Sequence, residues 1–141
     1  MWWLLAAGAL AVAVAVPLLV RERRQRAWMA DLAAAEEEVA WFARELIPEL
    51  RQAGSADQVA GGWAVGSSRV STVEDRLTAL DASAPDDAGR TRARTLRDAV
   101  RASRARMQDM VGSGGTGTLP GDLEAVAAEL GTALGAAPPN G

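Results

Sequence analysis

Apolar residues fill positions 2 to 20 without a single charge, and from Trp28 onward they recur at alternating steps of four and three. The two patterns predict different things. An unbroken apolar run rising ~1.5 Å per residue reaches nearly 30 Å as a helix, the thickness of a hydrocarbon core. Alternating steps of four and three place one side chain per turn on a single seam, so each such stretch is a helix buried along one face.

Three stripes of the second kind follow one another. The first holds Trp28, Leu32, Ala35, Val39, Phe42 and Leu46 and ends near Leu50. The second holds Val59, Trp63, Gly66, Val70, Val73, Leu77 and Leu80, and the third Gly89, Ala93, Leu96, Val100, Ser103, Met107 and Met110. Gly54 stops the first helix and Ser55 can cap the second. Pro85 disfavours helix before it, and the aspartates that follow, Asp86 and Asp87, can cap the third. Stripes of matching length, ~32 Å each as helices, favour three rods side by side, running up, down and up. The fold class is therefore all-α: an N-terminal transmembrane helix and an antiparallel three-helix bundle, then a short amphipathic helix on a Gly-rich linker. A long coiled coil built by oligomerisation is the competing arrangement, and the breaks at Gly54 and Pro85 count against it.

The predicted organisation is a span over 1–20, a basic knot over 21–26, the bundle over 27–111, a flexible linker over 112–118, a helix over 119–135 and a frayed tail over 136–141. Pro48 removes a hydrogen bond within the first helix and should bend it. Gly61, Gly62 and Gly66 flank Trp63, and the expectation is that they leave room for Trp41, Phe42 and Trp63 to pack together. The alternative for Trp63 is a groove that receives a partner helix. The third stripe, with Gly89, Ala93 and Ser103 in it, makes a thin core, so a protein partner or homo-oligomerisation would help complete the bundle.

Composition narrows the chemistry. The chain of 141 residues has no Cys, His, Tyr or Lys. Disulfides and thiolate sites are impossible, and the commonest general bases, nitrogen ligands and amine nucleophiles are missing. The expectation is a non-enzymatic protein with no cofactor, no metal site and no evident small-molecule substrate. Glu36, Glu37 and Glu38 are consecutive, so on a helix they point in different directions and cannot converge on one ion. All fifteen basic residues are Arg, amid abundant Ala, Val and Gly, which suggests a GC-rich bacterial genome.

Charge is uneven. Arg21, Arg23, Arg24 and Arg26 follow the apolar run at once, against only the N-terminal amine on its other side. Flanking Arg resists translocation, which predicts an inner-membrane, single-pass protein with its N-terminus outside and its bulk cytoplasmic. Trp2 and Trp3 suit the outer interface. A cleaved signal on an exported helical protein is the alternative, supported by the small-residue run Ala11 to Ala15 and opposed by the missing basic n-region. Ala7, Ala11 and Ala15 also carry the small-residue spacing that lets two spans approach.

On the third helix Arg90, Arg94, Arg97, Arg101 and Arg104 form a ridge, with Arg92 and Arg106 on other faces. The first helix carries Asp31, Glu38 and Glu45 in a row. The leading expectation is that ridge and row face each other as ion pairs. A sharper alternative gathers Arg90, Arg92 and Arg94 beside the knot as a surface for membrane lipid with anionic headgroups. Nucleic acid is not expected, since the ridge lacks Lys, Tyr and a stacking aromatic, and the net charge is −3.

Past the linker, Asp122 can cap a helix with Leu123, Val126, Leu130 and Leu134 on one side. This helix either docks on the bundle or serves a partner as a tethered helix-in-groove ligand. The plan of one span, a basic knot and a helical rod is similar in outline to bacterial septation-ring membrane proteins with spectrin-like bundles and to the membrane-anchored stator subunit of rotary ATP synthases. That likeness implies an anchored scaffold or accessory subunit of a bacterial membrane complex, and it assigns no residue.

Overall fold

The computed structural model describes residues 1–114 and 119–135, and every element among them is a helix. The linker positions 115–118 and the tail 136–141 lie outside the described residues. Helix α1 runs without a break through fifty residues, Trp2–Arg51. Helices α2 (Ala56–Ser83), α3 (Asp87–Gly112) and α4 (Leu119–Gly135) follow.

The turns form as their residue types dictate. Ser55 Oγ accepts from the Gln58 N–H at 3.2 Å, and Gln58 Oε1 accepts from the Gly54 N–H at 2.6 Å. This reciprocal pair resembles a capping box that reaches back one residue further than usual, and it satisfies two donors at the start of α2. Asp86 Oδ1 accepts from the Gly89 N–H at 2.7 Å and starts α3 in the same way.

One core joins all the helices. Every apolar position of the first two stripes is buried, as are all of the third except half-buried Gly89. Helix α4 lies between α1 and α3, with Leu123, Val126, Leu130 and Ala133 buried. Its start lies beside Leu50 and Ala53, and its end meets Arg92. The helices therefore run up, down, up and down, and α4 joins the three-helix core as a fourth member.

Pro48 acts through the turn before it. Residues Phe42–Leu46 form a π turn, in which the Ile47 N–H bonds to the Phe42 carbonyl. The extra residue in that turn lets the helix continue past a proline that cannot donate. It also rotates the buried face, so Ala43 and Ile47 join Phe42, Leu46 and Leu50 in the core. A seam read at steps of four and three omits both, and this widened face is the part of α1 that α4 covers.

The glycines around Trp63 serve leucines rather than rings. A Cβ on Gly62 would meet Leu50 Cδ2 at 2.6 Å, and one on Gly66 would meet Leu46 Cδ2 at 2.9 Å. Phe42 and Trp63 do pack, with ring centroids 6.0 Å apart. Trp41 does not join them: it lies on the neighbouring face of α1 beneath the guanidinium of Arg69, 3.8 Å from the ring centroid.

Residues 2 to 20 form the exposed end of α1. Their most apolar window has a mean hydropathy of 2.4, and none of it is covered by the rest of the protein. This one helix is long and apolar enough to cross a membrane, a property that signal sequences share.

Candidate functional site

The basic ridge is paired within the chain, and its main partner is α2 rather than the acidic row of α1. Asp81 receives Arg97 at 2.6 Å and Arg94 at 3.3 Å. Glu74, buried beside the seam, receives Arg101 at 2.9 Å through a hydrogen bond, and Arg104 lies 3.1 Å from its other oxygen as an ion pair without hydrogen-bond alignment. Arg90 pairs with Asp87 and Arg106 with Glu129. All seven arginines of α3 thus have an acidic neighbour.

Burial opposes ionisation of Asp81, but the hydrogen bonds and charges of Arg94 and Arg97 outweigh it and hold the carboxyl below its usual value. Glu74 and Asp81 stand seven residues apart, each one position after a member of the second stripe. That recurrence is a legible signal for a pairing face on α2.

Of the row on α1, Glu38 has a partner in α2. Arg69 donates to it from two nitrogens, at 2.6 and 2.9 Å, while its guanidinium covers Trp41. The hydrogen bond from Arg69 holds the Glu38 carboxyl below its usual value, and the same contact raises Arg69.

The residues suggested for a membrane surface separate into two groups. Arg92 is only 10 % exposed; it pairs with Glu36 at 2.9 Å and donates to the Ala133 and Leu134 carbonyls at 2.6 and 3.0 Å. It therefore closes the C-terminal end of α4, where helix carbonyls lack partners. Arg94 is held on Asp81, and Arg90 lies beside exposed Asp87. In the knot, Arg26 pairs with Glu22. Arg21, Arg23 and Arg24 have no ion-pair partner among the described residues.

Beside the knot is a groove of about 450 Å³. Pro17, Val20, Arg21 and Arg24 line it from α1, and Ser83 and Pro85 line it from the α2–α3 turn. Trp28 closes the end nearest the core.

The residues suggested for a protein partner lie largely inside the fold. Trp63 is buried against Phe42; Leu123, Val126 and Leu130 are buried under α4, and Leu134 is half-buried. Among the described residues no three carboxylates gather as metal ligands. Compared with known protein families, curated proteins and solved structures, the chain matches none.

Proposed function

We propose that this protein is a non-enzymatic, membrane-anchored helical scaffold or accessory subunit of a bacterial membrane complex, with its bundle on the cytoplasmic side. The observation that carries this reading is the continuity of α1. The same helix supplies the apolar run and one wall of the bundle, with no Gly or loop between them. A continuous helix of this length is a rod of ~75 Å, so it fixes the height and direction of the bundle relative to the bilayer. A cytoplasmic module that needed only tethering would be served by a flexible linker.

The charge pattern supports the orientation: four Arg flank the inner end of the run and only the amine flanks the outer end. The engagement of Glu36, Glu38, Glu74 and Asp81 by Arg supports a structural use for the carboxylates.

Cross-linking in intact cells followed by mild solubilisation and pull-down tests the proposal. A stoichiometric partner or a homo-oligomer is expected. Recovery of the chain as a stable monomer without a cross-linked product contradicts it.

A further inference from the structure

We propose that the groove between the basic knot and the α2–α3 turn holds the phosphate headgroup of an anionic phospholipid from the bilayer in which α1 sits. This rests on the reading of residues 2 to 20 as a span.

Charge is the first argument. Every arginine on α3 has an acidic neighbour, and so has Arg26, whereas Arg21 and Arg24 reach the groove with no ion-pair partner among the described residues. They stand three residues apart on α1, one turn of one helix face, so both guanidiniums are available to the same phosphate. Arg is suited to this role because its planar fork of N–H donors matches phosphate oxygens.

Position is the second argument. Along α1 the groove-lining residues are Pro17, Val20, Arg21, Arg24, Gln25 and Trp28, a face that passes from apolar to cationic to buried aromatic. A phospholipid matches the first two of these in order read outward, with acyl chain and then anionic phosphate. With Val20 at the boundary of the hydrocarbon, its chains would lie along Val20 and Pro17 and its phosphate at the level of Arg21 and Arg24. The opposite wall, Ser83 and Pro85, turns an exposed helix face into an open-sided slot.

The nearby carboxylates are otherwise engaged. Asp86 caps Gly89, and Asp87 lies against Arg90. The diffuse attraction of any basic knot to an anionic surface is roughly fivefold per Arg. A built slot adds selectivity between arginines at the same depth, and that difference is what the test reads.

The full chain is reconstituted in phosphatidylcholine vesicles with spin-labelled phosphatidylglycerol or, in parallel, spin-labelled phosphatidylcholine. The motionally restricted lipid is read by electron paramagnetic resonance. The expected result is a several-fold preference for the anionic label that Arg21→Gln with Arg24→Gln lowers to the diffuse attraction of the arginines that remain. Arg23→Gln with Arg26→Gln, which removes equal charge at similar depth, should retain most of it. Ser83→Trp, which fills the slot and keeps all charge, should lower it to the level of diffuse attraction alone.

Equal loss in both double variants, or an unchanged preference in Ser83→Trp, overturns the site in favour of diffuse attraction. Displacement of the label by soluble glycerol 3-phosphate overturns the bilayer lipid as occupant in favour of a soluble phosphate ester. Protein that is extracted from the vesicles by alkaline carbonate defeats the span itself, whereas inserted protein without lipid preference defeats only the slot.

Discussion

The Trp28 indole N–H donates to the Leu80 carbonyl at 3.1 Å, so a side chain of α1 closes the last turn of α2. Carbonyls in the final turn of a helix lack intrahelical partners, and the N–H of Ala84, the C-cap, makes no cap bond back to the helix. Trp28 is buried here, two residues beyond the knot, and so ties the bundle to the segment that leaves it. Trp28→Phe keeps most of the ring but leaves that carbonyl unpaired and should cost about 1 to 3 kcal/mol. Thermal unfolding of the full chain in detergent, followed by circular dichroism, measures it.

Two glycines should respond oppositely to the same methyl. At Gly89 a Cβ would lie 2.7 Å from Trp28 Cη2, a buried ring with little freedom to move. Gly89→Ala should therefore destabilise by about 1 to 3 kcal/mol. At exposed Gly61 nothing stands within 4 Å, so Gly61→Ala should stabilise α2 by roughly 0.5 to 1 kcal/mol. Paired denaturation curves in one detergent decide the sign of each.

Ser103 is fully buried, and its hydroxyl has no hydrogen-bond partner among the described residues. Removing an unpaired buried hydroxyl relieves its desolvation cost and leaves little space behind. Ser103→Ala should raise stability by about 1 kcal/mol, whereas Ser103→Leu should lower it by overpacking. The order of the three melting temperatures is the check.

Acid should weaken the bundle through Asp81 and Glu38. Both carboxyls are held below their usual values in the folded chain. A lowered folded value contributes stability that is present above the unfolded value, about 3.9 for Asp and 4.3 for Glu, and is lost as pH falls through the folded one. Arg94→Gln with Arg97→Gln removes what lowers Asp81 and leaves the burial that raises it. The acid limb of a melting-temperature profile should then lose the share of Asp81 and become shallower, while the melting temperature at neutral pH falls.

Much of this architecture is legible in the sequence because core contacts repeat at the helical period. The positions from Trp28 to Leu46, from Val59 to Leu80 and from Ala93 to Met110 face inward as their spacing predicts. The caps at Ser55 and Asp86 are legible for the same local reason. What escapes is set by tertiary pairing. Ala43 and Ile47 are hidden because Pro48 changes the helical period over one turn, and α4 occupies the face that results. The partners of the α3 ridge are misassigned because two helices offer acidic rows, and only their packing selects Glu74 and Asp81 over Asp31 and Glu45. Arg92 escapes too, since its place at the end of α4 depends on how that helix docks.

The groove at the knot is invisible in sequence for a similar reason. Arg21 and Arg24 are evident as charges, but the wall formed by Ser83 and Pro85 is brought from sixty residues away. Only the antiparallel return of α2 places it there.

The lack of native cysteine permits a direct test of the central claim, that α1 anchors a bundle held on the cytoplasmic side. A single cysteine is introduced at exposed Ser68, and intact cells are treated with a membrane-impermeant maleimide before and after permeabilisation. The account predicts a carbonate-resistant membrane protein that retains residues 1 to 20 and is labelled only after permeabilisation. Labelling in intact cells, or recovery of a chain that has lost its first residues, would contradict it.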